Sequence, residues 1–160
     1  MRHGPCFPVG SKLSFPERTT RIKTVITYGT FDLFHIGHLR LLERAREFGD
    51  RLVVGVSTDE FNEGKGKRTV IPFRDRAAIV RAVRCVDDVF PEQSWQQKRD
   101  DLRRFGASVF VMGDDWKGKF DDLRDACEVV YLPRTSMVST TSIKEAVALL
   151  QQIAREYTVS

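Results

Sequence analysis

Short apolar runs alternate along this chain with longer stretches in which apolar residues return every three or four positions. The first run, Thr24-Val25-Ile26-Thr27-Tyr28, is rich in β-branched residues and stops at Gly29, the pattern of a strand. Ile36, Leu39, Leu42 and Ala45 then recur at three-residue intervals, with Leu41 and Phe48 widening the stripe. That spacing predicts a helix, halted at Gly49-Asp50. Residues 51–57 read as a second strand, apolar enough to be covered on both faces. Residues 62–69 form a basic, glycine-containing loop, and 74–86 a helix with Ile79, Val83 and Val86 on its inner face. Val89 marks a very short strand, crowded by Asp87-Asp88 and Pro91. A helix over 95–105, a strand over 107–112, a short helix near 121–126 and a strand over 128–132 follow. The last helix is expected to start near Ser142, where Ser142 and Glu145 have capping-box spacing, and to carry Val147, Leu150 and Ala154 inward.

Strands alternating with helices predict a single-domain α/β fold: an open, parallel, five-stranded sheet with helices on both faces. The domain spans 22–157, behind an irregular arm over 1–21 that holds three of the six prolines. Ligands of such sheets sit beyond the carboxyl ends of the strands. That singles out the loops 29–38, 57–68, 113–119 and 133–142.

Composition narrows the function classes. With 41% hydrophobic residues and 26 Lys+Arg against 22 Asp+Glu, the 160-residue chain fits one folded domain with a mild positive balance. Basic and acidic residues are interleaved, so the excess charge alone does not predict a nucleic-acid partner. No apolar run approaches the roughly 20 residues that cross a membrane, so no membrane insertion is expected. Cys6, Cys85 and Cys127 are odd in number and lack metal-type spacing, which points to reduced cytoplasm.

Four loops carry candidate chemistry. Gly29-Thr30-Phe31-Asp32 leads into His35-Ile36-Gly37-His38, where two histidines across a glycine face one ligand at a helix start suited to phosphate. Metal ligation by the pair with Asp32, or one packed and one surface histidine, are the competing readings. Lys65, Lys67 and Arg68 among Gly64 and Gly66 can close over a polyphosphate or form a solvated charge run, and the spacing is not a Walker A element. Asp114 and Asp115 can hold hydrated magnesium or accept hydrogen bonds from a base or ribose, with Trp116 offering a flat face. Arg134, with Thr135, Ser139, Thr140 and Thr141, can grip phosphate ahead of the last helix. Four anion-suited loops at four strand ends point together to a nucleoside triphosphate.

These residues resemble a known family. Gly29-Thr30-Phe31-Asp32 with His35-Ile36-Gly37-His38 looks like the signature of the cytidylyltransferase-like nucleotidyltransferase superfamily, whose fold is Rossmann-like. Ser57 to Asn62, Phe110 to Trp116, Tyr131 to Thr135, Ser139-Thr140-Thr141 and Ile143-Lys144 extend the likeness, more narrowly, to glycerol-3-phosphate cytidylyltransferases. The resemblance implies transfer of CMP from CTP to sn-glycerol 3-phosphate, giving CDP-glycerol and pyrophosphate with Mg2+. It further implies a cytoplasmic homodimer supplying teichoic-acid precursors. It assigns His35, His38, Lys65 and Arg134 to catalysis, and leaves the metal ligands open. Nucleotide binding falls to Gly29, Thr30, Phe31, Asp32, Lys67, Arg84, Asp115, Thr135, Ser139 and Thr140, with both histidines and Arg134. The acceptor falls to Lys65, Lys67 and Trp95. Ser136 and Met137 stand where the family usually has an acidic residue and a glycine. Transfer of a cytidylyl or adenylyl group to another phosphorylated acceptor, and a noncatalytic polyanion-binding module, are the alternatives.

Overall fold

Valine, leucine and isoleucine dominate the segments that pair into a sheet, because branched side chains suit a pleated surface covered on both sides. The computed structural model describes residues 22–135 and 139–157. The arm over 1–21, Cys6, Ser136 and Met137 lie outside the described residues. Five strands, β1 (Thr24–Gly29), β2 (Arg51–Ser57), β3 (Asp88–Glu92), β4 (Ala107–Gly113) and β5 (Glu128–Leu132), pair in parallel in the order β3-β2-β1-β4-β5. This is the open five-stranded α/β architecture that the alternating pattern predicts.

Helix α1 (Ile36–Arg46) joins β1 to β2; α2 (Asp59–Gly64) and α3 (Phe73–Arg81) join β2 to β3; α4 (Lys98–Phe105) joins β3 to β4. Two 3-10 turns, Asp114–Trp116 and Asp121–Asp125, precede β5, and α5 (Thr140–Tyr157) follows it. Alternate strand residues feed opposite faces. Val25, Leu52, Val54 and Val111 pack with Leu42 and Ala45 of α1 and Val80 of α3. Ile26, Val53, Phe110 and Met112 pack with Leu102 of α4 and Leu123. Each fully buried aliphatic or aromatic side chain contributes about 1.5–3 kcal/mol.

Several local expectations are corrected. Residues 59–64 are helical rather than loop, because Thr58 caps the turn by accepting the Phe61 N–H at 3.2 Å. Helix α3 stops at Arg81, and its buried face is Arg76, Ala77 and Val80, leaving Ile79 exposed. Helix α4 starts at Lys98 rather than Trp95, and it ends at Phe105 as expected, capped by Gly106, whose φ of 60° suits glycine. Pro91 sits inside β3, which is tolerated because β3 is an edge strand. The last helix starts at Thr140, and Ser139 rather than Ser142 caps it: its Oγ accepts the Ser142 N–H at 3.0 Å. Val147 and Leu150 do not turn inward but are 47% and 65% exposed, and the Ala154 side chain lies outside the described ones. Ile36 is likewise exposed at the first turn of α1.

The chain leaves β1 toward β2 on one side and β4 toward β5 on the other. The carboxyl ends of these two neighbouring strands therefore part around a crevice.

Candidate active site

A cleft of about 700 Å³ opens at that switch point. Seven lysines and arginines line it against three carboxylates among the described residues, so its field favours an anion.

The histidines come from the β1–α1 turn. Phe31 and Leu33 adopt left-handed backbone, with φ of 53° and 47°, at a cost of order 1–3 kcal/mol each. This folds the Phe31 ring back over Gly29, where a Cβ would stand 2.8 Å from it. His35 then caps α1. Its Nδ1 accepts the Gly37 N–H at 3.0 Å, and His38 Nδ1 accepts the His35 N–H at 3.4 Å. An imidazole nitrogen that accepts carries no proton, so each neutral ring bears its hydrogen on Nε2. The rings stack with centroids 3.9 Å apart, and both line the cleft. Burial, then the neighbouring His35, drives His38 down to about 4 despite Asp32, and burial lowers His35 as well. Both are therefore neutral donors near pH 7.

Two ionised groups behind them fix the loops. Asp32 accepts the Val70 and Ile71 N–H groups at 2.9 Å each and meets Lys144 Nζ at 2.8 Å. Burial opposes its ionisation, but Lys144 and those two amides together hold its pKa below the usual range. Arg76 is inaccessible to solvent and donates to Thr30 O at 2.6 Å, Ser57 O at 2.8 Å, Ile71 O at 2.8 Å and Asp59 Oδ1 at 2.6 Å. It ties the ends of β1 and β2 to the segment that follows the basic loop.

Lys65 and Lys67 project from that basic loop into the cleft beside Trp95. Lys65 Nζ lies 4.0 Å from the Phe61 ring centroid and donates to Ser57 Oγ at 3.1 Å. Burial lowers its pKa to about 8, with Glu92 opposing and Lys67, Lys98 and Arg76 adding to the fall. On the far wall Arg134 meets Asp115 at 2.6 Å, an exposed pair of a kind that contributes about 0–1 kcal/mol, so a phosphate can displace the carboxylate at little cost. Thr140 Oγ1 donates to Asp32 O at 3.1 Å and lies 3.4 Å from His35 Nε2.

The cleft thus gathers Gly29, Thr30, Phe31 and Asp32, the two histidines, Lys65, Lys67 and Trp95, and Asp115. Arg134, Thr135, Ser139 and Thr140 complete its far side. Arg84 is not among the lining residues. Helix α3 runs back from the carboxyl ends of the strands, which puts the turn bearing Arg84, exposed, at the opposite end of the sheet. The cleft therefore does not bring Arg84 together with the other residues that the resemblance assigns to the nucleotide.

The cytidylyltransferase-like family profile matches residues 26–147. A glycerol-3-phosphate cytidylyltransferase of Bacillus subtilis is 58% identical over 127 residues, covering 79% of this chain and 98% of that protein. The chain belongs to the glycerol-3-phosphate cytidylyltransferase family. A family member from Staphylococcus aureus is 54% identical over 124 residues, 78% of this chain and 94% of its own. A lipopolysaccharide core biosynthesis protein of Thermoplasma volcanium shares the fold, with a TM-score of 0.63 at 22% identity over 72% of this chain and 99% of that one.

Within this cytidylyltransferase cleft, pattern reading did not find Ser57, Glu92, Lys98 or Arg76 as functional groups. Arg76 had a legible signal, a charged residue on the apolar face of a helix. Ser57 and Glu92 had none, since they meet only because they are register partners in β2 and β3.

Proposed function

We propose that this chain transfers the cytidylyl group of CTP to sn-glycerol 3-phosphate, with release of pyrophosphate. CTP and glycerol 3-phosphate follow from the family to which the chain belongs. The observation that carries the transfer chemistry is the neutral histidine pair: two protonated Nε2 atoms stacked at the head of α1, inside a cleft rimmed by cations. A phosphate oxygen of the acceptor attacks the α-phosphorus of CTP in line, and the bond to the pyrophosphate oxygen breaks. His35 and His38 donate hydrogen bonds to oxygens on which charge builds. Lys65 and Lys67 hold the acceptor phosphate, with Lys67 reaching the nucleotide as well. Arg134, released from Asp115, grips the outer phosphates with Thr135, Ser139 and Thr140. No side chain forms a covalent intermediate, so rate comes from positioning and charge stabilisation.

Enzymes of this kind use Mg2+. Among the described residues no group of three or more His, Cys, Asp or Glu is placed to hold a metal ion. Asp32 is engaged by Lys144. The residues present do not form a protein cage for the ion, and no step is assigned to it.

The reading is tested by pyrophosphate release from each nucleoside triphosphate crossed with glycerol 3-phosphate, phosphocholine and phosphoethanolamine. Turnover with CTP and glycerol 3-phosphate is expected; turnover confined to ATP, or to another acceptor, refutes the assignment. We further propose a homodimer, supported by the uncovered apolar face of α5, where Val147, Leu149, Leu150 and Ile153 are exposed. Light scattering that finds only an 18.3 kDa species overturns it. Among the described residues no helix is long and apolar enough to cross a membrane. A cytoplasmic setting is proposed from the cysteine usage, with Cys85 and Cys127 both free.

A further inference from the structure

At the floor of the cleft lies a directed chain of polar groups. Ser57 ends β2, Glu92 ends β3 and Lys98 opens α4; they are 1%, 3% and 2% exposed. Glu92 takes the Lys98 ammonium on one carboxylate oxygen and the Ser57 hydroxyl on the other. A hydroxyl has one proton to give. With its O–H directed at Glu92, Ser57 turns its lone pairs to Lys65, whose Nζ donates from 3.1 Å. Lys98 is caged by the rings of Tyr28, Trp95 and Phe120, at 4.4, 4.8 and 5.4 Å, so the far end of the chain cannot drift.

We propose that Glu92, fixed by Lys98 and acting through the Ser57 hydroxyl, is a positioning residue that aims the Lys65 ammonium at the acceptor phosphate and keeps it charged. The proposal rests on the reading of Lys65 given under the proposed function. A carboxylate bonded directly to Lys65 would compete with the phosphate for its N–H groups. The interposed hydroxyl moves the negative charge one residue back and leaves the other two ammonium hydrogens to the acceptor. The carboxylate is also the counter-charge Lys65 needs. Lys67 on its own loop, Lys98 on α4 and Arg76 on α3 all repel the ammonium, and Glu92 opposes them.

The experiment measures kcat and KM for glycerol 3-phosphate and for CTP across pH 6 to 9.5 in the wild type, Ser57→Ala and Glu92→Gln, with folding checked by circular dichroism. Ser57→Ala is expected to raise the glycerol 3-phosphate KM roughly tenfold or more, the usual scale for a lost hydrogen bond to a charged group, with the CTP KM little changed. Glu92→Gln is expected to move the alkaline limb of kcat/KM, set near 8 by Lys65, toward lower pH. Should Glu92→Gln unfold because Lys98 is left unpaired, the double variant Glu92→Gln with Lys98→Met is used. The shift keeps its direction there, since Glu92 acts on Lys65 more strongly than Lys98 does. Equal rises of both KM values, or an alkaline limb that does not move, overturn the proposal. A wild type that turns over CTP with a different phosphorylated acceptor overturns the acceptor assignment instead, and leaves the chain to be tested by the same split with that acceptor.

Discussion

Acidifying the solution from pH 7.5 to 5 should weaken this fold through one identifiable ring. His38 is held near 4 in the folded chain, chiefly by burial, whereas an unfolded histidine titrates near 6.5. The unfolded state therefore takes the proton first. Stability from the neutral ring is complete above pH 6.5 and is lost as pH falls toward 4. At about 1.36 kcal/mol per pKa unit the full effect is about 3 kcal/mol, of which roughly 2 kcal/mol goes between pH 6.5 and 5. His35 is shifted the same way and adds to the slope. Urea unfolding at a series of pH values, for the wild type and His38→Asn, measures the difference. The asparagine carbonyl can still accept the His35 N–H but does not titrate. A shallower pH slope in the variant is expected, together with an NMR titration of the wild-type His38 ring well below 6.5. A His38 ring that titrates at its ordinary pH, or identical slopes for the two proteins, would remove the case for a neutral Nε2 donor.

Three further substitutions test the site and its scaffold. His35→Ala or His38→Ala should lower kcat roughly a hundred- to thousandfold, the scale of a lost transition-state donor, with an unchanged circular dichroism spectrum; a folded variant with near-wild-type turnover takes that histidine out of the mechanism. Arg76→Met leaves the Thr30, Ser57 and Ile71 carbonyls without their buried donor and should cost about 3–5 kcal/mol, lowering Tm by roughly 10 °C in calorimetry. A drop below about 2 °C would show that the guanidinium does not hold the strand ends together.

Much of the fold is legible because each central strand is covered on both faces and its composition says so. Val53, Val109 and Phe110 need no partner to be recognised as interior. Helix faces are harder. In α3 the charge on Arg76 hides the buried stripe, and the apolar side of α5 is plain in the sequence while what covers it is not. The histidines, the basic loop, Asp115 and Arg134 are legible as residues that share one cleft because they follow strand ends, where such sheets open. Arg84 lies apart from these loops, since a motif position does not say which end of the sheet a turn occupies. The Ser57–Glu92 contact spans 35 residues and depends on strand register, which no local pattern encodes.

Pro91 carries a consequence for how these molecules can meet. It lies opposite Val56 in the outermost strand, where a backbone N–H would otherwise face solvent and invite a foreign strand to dock. A pyrrolidine ring there leaves a gap in the row of donors, so a visiting strand cannot zip along the border. Because an endless stack of sheets would need both borders, closing this one guards the molecule against runaway stacking into fibres.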